Sequence, residues 1–432
     1  MKKAGNAGTI MMKTNRRKAD STQKRKISRV VVVFLLKHFE NRDFHRYGYF
    51  ELKRQGYEYE AWSIADWMYD KRIEYPKRMA VNDCVLNIGS REAFDAALDG
   101  QDMKRTFFIV YPSGEMSEVA RYIKKRIKRK KGRFGEYSYP VSLMHGYDEE
   151  LARCRNLFDV SLYYLKKLCH GKEIRKRALS ELLFALRYPC TLNFMQCEAA
   201  CSSLPNKFDV YKKKTLLLPT MDHDEYLKCR KSRKLECVHQ KNISTIGRYG
   251  LYIDGYLMGS TDFKKAKVKM PISKKEVFCR ELDRFFVRLE KQYNCEIVIA
   301  LHPKAEYETD PFGGRKIIEG DTALLIRDSL FCIFDYSTSF DWILLYHKNF
   351  FQITNDELLR DASVNPIMKK YKDFGNYVVN ISDSSELEHP EEKINYYEEK
   401  KYAEYVRRYI KPADNIDKTS MYMIGKAIGK IR

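Results

Sequence analysis

The sequence predicts an α/β chain of two domains, each with a parallel sheet, facing one another across a cleft. Three observations carry that expectation. Short β-branched or aromatic runs alternate with helical patterns, as strand–helix–strand units require. At 432 residues the chain exceeds most single domains. Hydrophobic residues make up 44% and aromatic residues 13%, enough to fill real cores and to exclude a disordered chain. No internal repeat stands out, although the two halves have similar βα patterns.

Residues 1–27 are basic and polar and are expected to form a disordered tail. Val30–Leu36 is too short to span a bilayer and lacks the pattern of a signal peptide. Its β-branched density suits a buried first strand of a parallel sheet. No later run reaches about 18 apolar residues, so the expected location is cytoplasmic, at most peripheral on the inner face of the cell membrane. Lys37–Asp43 follows the strand at the sheet's carboxyl edge. A helical stretch then runs to about Gln55 and ends at Gly56, and Tyr57–Ile64 reads as the second strand. This opening lacks the glycine-rich dinucleotide fingerprint, which excludes NAD and FAD, and no cofactor is expected.

Arg105–Tyr111 reads as another strand. The helical pattern Glu115–Lys131 leads into the densest basic block, 121–133. That block is either a solvated helix face or a dock for an anionic membrane surface, where each basic residue contributes about 1 kcal/mol. It carries no RNA-binding signature, so no nucleic acid partner is expected. Residues 146–200 read as mostly helical, and Lys214–Leu218 as a strand. Asp222 and His223 come next, as helix caps or as site residues. The first domain is placed at 28–245.

The second domain is placed at 246–390. Tyr249–Asp254 is its first strand. A helix follows, opened by a Ser273/Glu276 capping box and an Ile272–Val277 staple, with Phe278, Leu282, Phe285 and Leu289 on one face. The strand Glu296–Leu301 ends in His302-Pro303-Lys304, and the strand Leu330–Tyr336 ends in Ser337-Thr338-Ser339. Helices Asp321–Asp328 and Phe340–Tyr346 and a strand Asn349–Ile353 surround them. In parallel sheets ligands bind beyond the carboxyl ends of the strands, so both polar clusters are expected in one crevice.

The chemistry there suits phosphate. Ser337, Thr338 and Ser339 open a helix whose first N–H groups attract anions, and His302 and Lys304 add donors and charge. Separately, each cluster reads as a helix cap or a strand end. Pro311–Arg315 is a glycine loop whose Arg315 either neutralises a phosphate or sits in a surface turn. Glu319 and Asp321 are candidates for ribose or base contacts, Asp321 equally for an N-cap. Residues 391–432 are assigned to C-terminal helices, including an amphipathic Ile394–Ile410.

The formal charge of +22 points to an anionic partner. Eleven cysteines are scattered as buried, reduced thiols would be. Cys197 with Cys201, or Cys229 with Cys237 and His239, lack the spacing of structural zinc sites, and no metal is expected.

A strand ending in His-Pro followed by one ending in a Ser/Thr pair resembles the nucleotide-binding half of GT-B glycosyltransferases, above all the bacterial sialyltransferase, polysialyltransferase and Kdo-transferase groups. The strings HPKAEY, PFGGRKI, TALLIRDS and YSTS, with LYIDGYL at 251–257 and DHDEYLK at 222–228, resemble the surface carbohydrate (lipopolysaccharide and capsule) biosynthesis proteins over about 220–356. The resemblance implies a GT-B fold of two Rossmann-like domains, with the C-terminal helices crossing back to the first. It implies transfer of a sugar from a nucleotide sugar, CMP-activated as the first expectation, to a glycan or lipid-linked glycan. His302, Pro303, Lys304, Arg315, Ser337, Thr338 and Ser339 would hold the donor phosphate and nucleotide without a metal. A carboxylate would act as base, with Asp254 ranked first, then Asp222 and Asp43. Ile253-Asp254-Gly255 matches the acidic-acidic-glycine motif of sialyltransferases in part, and Asp254 reads equally as a turn cap. The rivals are a teichoic-acid-type CDP-polyol phosphotransferase, a sugar-nucleotide epimerase and a non-catalytic basic binding protein.

Overall fold

The structure, a computed structural model, describes residues 27–35, 38–41, 43–68, 82–111, 117–137, 183–184, 187–196, 215–231, 247–259, 270–361, 375–412 and 417–431. Its strands form two sheets. The first contains β1 (Arg29–Phe34), β2 (Glu58–Ser63), β3 (Val85–Asn87), β4 (Thr106–Tyr111), β5 (Arg133–Tyr137), β6 (Leu192–Gln196) and β7 (Thr215–Leu218), in the order β3-β2-β1-β4-β5-β6-β7. The second contains β8 (Tyr249–Ile253), β9 (Glu296–Leu301), β10 (Ile317–Glu319), β11 (Cys332–Phe334), β12 (Phe350–Thr354) and β13 (Val379–Asn380), in the order β10-β9-β8-β11-β12-β13. Neighbours pair in parallel in both. Counted from its own first strand, the second sheet repeats the order of the first. Each order reverses direction once, beside β1 and β4 in the first sheet and beside β8 and β11 in the second. Such reversals open a crevice at the carboxyl edge of a doubly wound sheet.

Both faces of each sheet are covered, which is why central strands such as β1, β4 and β9 read as nearly unbroken apolar runs. In β1, Val30, Val32 and Phe34 enter one core and Val31 and Val33 the other. In β8 and β9, Tyr252, Ile297 and Ile299 pack against the long helix Lys275–Tyr293, while Leu251, Ile253, Val298 and Ala300 face the opposite layer. The strict alternation follows from the two-residue period of a strand.

Several elements differ from the sequence reading. Leu192–Gln196, read as helical, is a strand between β5 and β7, with Leu192 and Phe194 turned to the first core. The rest of the helical reading over 146–200 falls almost wholly outside the described residues. The stretch before Gln55 is two short helices, Asp43–Arg46 and Tyr49–Arg54, separated at Gly48, whose φ of 85° suits a residue without a Cβ. The Ser273/Glu276 capping box does not form. Glu357, from helix Asp356–Arg360, accepts hydrogen bonds from the Ser273 N–H and the Lys274 N–H at 3.1 Å and from the Ser273 hydroxyl. A distant carboxylate that meets three donors displaces a local one that meets fewer. The amphipathic segment 394–410 is helical only from Glu399, with a wider turn at Val406–Ile410.

Two passages join the halves. After β7, helix Met221–Lys231 packs its Cys229 against Ala323, Leu324 and Trp342 of the second half. On the way back, Tyr402, Tyr405 and Ile410 fill the second sheet's core, and Ile410 O accepts from Thr220 N–H at 2.7 Å. The last helix, Ser420–Ile428, then adds Met421, Ile424 and Ile428 to the first sheet's core. Tyr57 O–H donates to Gly425 O at 2.7 Å, and Asp224 accepts from Ser420 at the helix start.

Candidate functional site

Three strand ends meet at the second sheet's reversal. The register pairs Ile253 of β8 with Ala300 of β9 and with Phe334 of β11. One residue further, β8 ends in Asp254 and β11 in Asp335; one residue beyond Leu301, β9 gives way to His302. Asp254 Oδ1 accepts from Tyr256 N–H at 2.8 Å and from Tyr307 O–H at 3.0 Å, and Oδ2 accepts from His302 N–H at 3.3 Å. Asp335 accepts from its neighbour Tyr336 N–H at 2.5 Å and from Tyr252 O–H at 3.0 Å. Both are deeply buried, at 4% and 1% exposure. Burial pushes the Asp335 carboxyl up to about 7, against the pull of the Tyr336 N–H and with a push from the Asp254 charge. Burial also raises Asp254, opposed by its three donors. Gly255 lies between the two, and a Cβ there would collide with Asp335 Oδ1 and come within 2.6 Å of Tyr336 O.

Around this acid pair stand the predicted anion ligands. Lys304 N–H donates to His302 Nδ1 at 3.1 Å. The neutral ring therefore carries its proton on Nε2 as a donor. Tyr256 stacks on the same ring, 5.7 Å between centroids and 18° between planes, and Tyr307 meets Tyr256 edge-on at 5.3 Å. Ser337 Oγ accepts from Ser339 N–H at 3.1 Å, so the serine turn leads directly into helix Phe340–Leu345. Ser339 holds the cap position without a side-chain cap, and Thr338 is exposed. Pro303 and Lys304 are exposed beside His302.

The remaining candidates separate. Glu319 is exposed at the end of β10, paired with Leu301 and so next to His302. Asp321 occupies the N-cap position with φ 51° and makes no side-chain cap; its backbone oxygen accepts from Leu324 and Leu325 N–H, while its Oδ2 is buried without a partner. Arg315 is drawn away from the crevice. Its guanidinium bonds Glu290 at 2.8 and 2.9 Å and Asp283 at 2.6 Å, and lies over the Phe286 ring.

Asp43 is fully buried at the first sheet's reversal, its Oδ2 accepting from Glu40 N–H at 2.9 Å. Asp222 lies at the start of helix Met221–Lys231, and its carbonyl accepts from Trp342 Nε1–H at 2.8 Å. Burial pushes its carboxyl up to about 6, opposed by the Arg46 cation. The neighbouring Asp341, bonded by Tyr405 O–H at 2.9 Å, is raised further by burial and by the Asp222 charge. Asp222 thus reaches from the first sheet's carboxyl edge to the helix behind Ser337–Ser339. His223 is fully buried with both ring nitrogens unpartnered, and burial lowers its pKa to about 4.

Sequence reasoning did not single out Asp335 or Asp341, and Tyr256 and Tyr307 entered it only inside the strings LYIDGYL and HPKAEY. The basic block is partly neutralised by carboxylates of neighbouring elements: Arg126 pairs with Asp95 at 2.8 Å, Lys124 with Glu136 at 3.3 Å, and Lys130 with Asp99. Among the described residues no group of His, Cys, Asp and Glu is placed to hold a metal ion. No helix among them is long and apolar enough to cross a membrane. Cys197, Cys201, Cys237 and His239 lie outside the described residues.

No protein family matches the sequence, and no curated protein matches it. Solved structures match in fold. UDP-GlcNAc 2-epimerases from Methanocaldococcus jannaschii and Neisseria meningitidis align at 12% and 14% identity, with TM-scores of 0.47 and 0.48, over 93% of this chain and 99% of theirs. The wall teichoic acid polymerase TagF aligns at 14% identity, with a TM-score of 0.51, over 94% of this chain and 89% of its own. Together with the two parallel sheets, that likeness gives the chain a two-domain, Rossmann-like architecture of the GT-B type.

Proposed function

We propose that the protein is a metal-independent glycosyltransferase that moves a sugar from a nucleotide sugar, CMP-activated as the first expectation, to a surface glycan or lipid-linked glycan. The observation that carries this is the meeting of His302, Lys304 and Ser337–Ser339 at one reversal of a parallel sheet, around buried Asp254. In this reading residues 28–245 face the acceptor, 246–390 hold the donor, and 391–432 return to the first domain. The acceptor hydroxyl gives up its proton and attacks the anomeric carbon, and the bond from that carbon to the phosphate oxygen breaks. His302 Nε2–H, Lys304 and the serine turn receive the charge that develops on the leaving phosphate. Glu319 and Asp321 flank the ribose and base.

Among the three candidate carboxylates, Asp222 suits the base. Its backbone carbonyl meets the second half at Trp342, and burial raises its carboxyl toward working pH. Asp254, held by three donors, acts by fixing the His302 loop. Asp43 is fully buried and holds its own loop. Outside the ion pairs, Lys125, Arg129 and Lys131 remain for an anionic membrane surface that carries the acceptor. A second reading, transfer of a phosphopolyol from a CDP donor, is favoured by Asp335-Tyr336-Ser337-Thr338 and by the fold shared with a teichoic acid polymerase.

A thermal-shift panel of CMP, CDP, UDP, GDP and phosphate on wild type and His302→Ala tests both. A ligand held by the folded state alone raises the melting temperature. We expect a shift with CMP or CDP that the variant loses. Preference for UDP moves the donor away from CMP and favours epimerase chemistry. No shift with any nucleotide overturns the donor site and leaves a basic binding protein.

A further inference from the structure

On one face of the first sheet two helices lie side by side, Tyr49–Arg54 and Ser420–Ile428. Leu52 of the one and Met421, Ile424 and Ile428 of the other enter the same core. Gln55 Nε2–H donates to Tyr422 O at 3.4 Å, and a Cβ at Gly48 would come within 2.9 Å of Met421. With their apolar sides turned to the sheet, their opposite sides form one outward surface. That surface is cationic. Arg46, Lys53, Arg54, Lys418, Lys426 and Lys430 are exposed on these helices or just beyond their ends. The two helices contain a single carboxylate, Glu51, already bonded to Arg54 and Gln55. Of the six cations, Arg54 alone is ion-paired among the described residues.

Aromatic rings stand among these cations. Phe50 is 42% exposed, at helical spacing from Lys53 and Arg54, with the His45 ring 4.5 Å away between centroids. Tyr422 lies between Lys418 and Lys426, whose ammonium groups are 5.1 and 5.5 Å from its ring centre. Lys53 lies over Tyr49 at 5.3 Å. Aromatic rings flanked by long basic side chains suit the boundary between water and lipid: the rings enter the headgroup layer and the cations meet anionic lipid. The backs of two adjacent helices fit a plane, whereas a nucleic acid strand lodges in a groove. The basic block 121–133 belongs to the other layer, since Ala120, Ile123 and Ile127 pack on the opposite face of the sheet. Three of its cations are paired, and none of the large apolar side chains that stand exposed lies on its helix.

We propose that the outward surface of helices Tyr49–Arg54 and Ser420–Ile428 docks on an anionic lipid bilayer, with Phe50 and Tyr422 in the headgroup layer. At one edge of this surface the Arg46 charge acts on Asp222, the candidate base. A lipid-linked acceptor then leaves the bilayer beside that carboxylate, on the half of the molecule that faces the acceptor. Only the acceptor's route rests on the transferase reading; the lipid contact stands on the surface.

The test is flotation of the full chain, across a lipid titration, with vesicles of phosphatidylcholine alone and of phosphatidylcholine with phosphatidylglycerol. Phe50→Ser, Lys53→Glu/Lys426→Glu and, on the opposite layer, Lys125→Glu/Arg129→Glu are floated alongside, and each is also given the nucleotide panel. We expect wild type to bind the anionic vesicles at least tenfold more tightly than the neutral ones. Phe50→Ser and Lys53→Glu/Lys426→Glu should each lose tenfold or more of that affinity, and Lys125→Glu/Arg129→Glu less than twofold, with nucleotide responses unchanged. Phe50→Trp, a milder change, should add fluorescence that brominated lipid quenches beyond the wild-type signal. No vesicle binding, equal binding of the two vesicles, Phe50 and Lys53/Lys426 variants that bind like wild type, a tenfold loss in Lys125→Glu/Arg129→Glu, or no added quenching each overturn the proposal. So does a single-stranded RNA oligonucleotide that binds as tightly and displaces the vesicles. Vesicle binding without any nucleotide response overturns the transferase reading and leaves this surface standing; nucleotide response without vesicle binding does the reverse.

Discussion

Asp335 shows how one residue ties the site to the fold. Its carboxyl is raised to about 7, chiefly by burial. A carboxyl raised in the folded state is most stabilising while protonated, and its contribution falls as pH rises from the unfolded value through the folded one. Asp335→Asn removes that titration. We expect the melting temperature of the variant, relative to wild type, to climb as pH is taken from about 4 to about 8. A flat difference would show that Asp335 ionises normally. His302 and the serine turn were legible in the sequence because a polar cluster that ends an apolar strand marks the carboxyl edge of a sheet. Asp335, Tyr256 and Tyr307 were not, because their roles depend on register: Asp254 meets the Tyr307 hydroxyl only after β8 and β9 have paired. Arg315 reads from its glycine loop as a phosphate ligand, yet Glu290, 25 residues earlier on the long helix, claims it first.

Among elements, the long helix Lys275–Tyr293 depends on a carboxylate outside itself. Glu357 meets the donors at its start, and its pKa is lowered by the Ser273 hydroxyl and by the Lys274 and Ser273 N–H groups, against a desolvation cost. A depressed carboxyl contributes stability above the unfolded value and loses it as pH falls through the folded one. Glu357→Gln should cost about 1 kcal/mol in urea unfolding near neutral pH, the usual worth of a cap. The loss should vanish below the ordinary glutamate range. Glu276→Gln, the residue that the local sequence nominates, should cost much less. Local pattern also misled at β6, where LNFMQ is too short for periodicity to separate strand from helix. The longer strands β1, β4, β8 and β9 were legible because each is an unbroken apolar run closed by polar residues. β3, β10 and β13, of two or three residues, exist only as additions to a neighbour.

For the whole molecule, the two sheets are joined by an outward and a return passage, and the return ends inside the first core. Ile424→Ala should therefore cost about 2–5 kcal/mol, as buried large-to-small changes do. Amide exchange should quicken in β1 and β4 before it does in β8 and β9. Equal acceleration in both sheets would show that the two cores open as one.

The closing helix also sets a timetable. On the ribosome β1 emerges before every other described strand, yet the core around it lacks Met421, Ile424 and Ile428 until the strands of both sheets have been made. The second sheet, with strands all inside 249–380 and its core completed by Tyr402, Tyr405 and Ile410, can assemble before the first is closed. A product released early would expose the apolar surface that this helix covers, and would be open to chaperones and proteases. A helix made after every described strand thus closes the core of the first sheet.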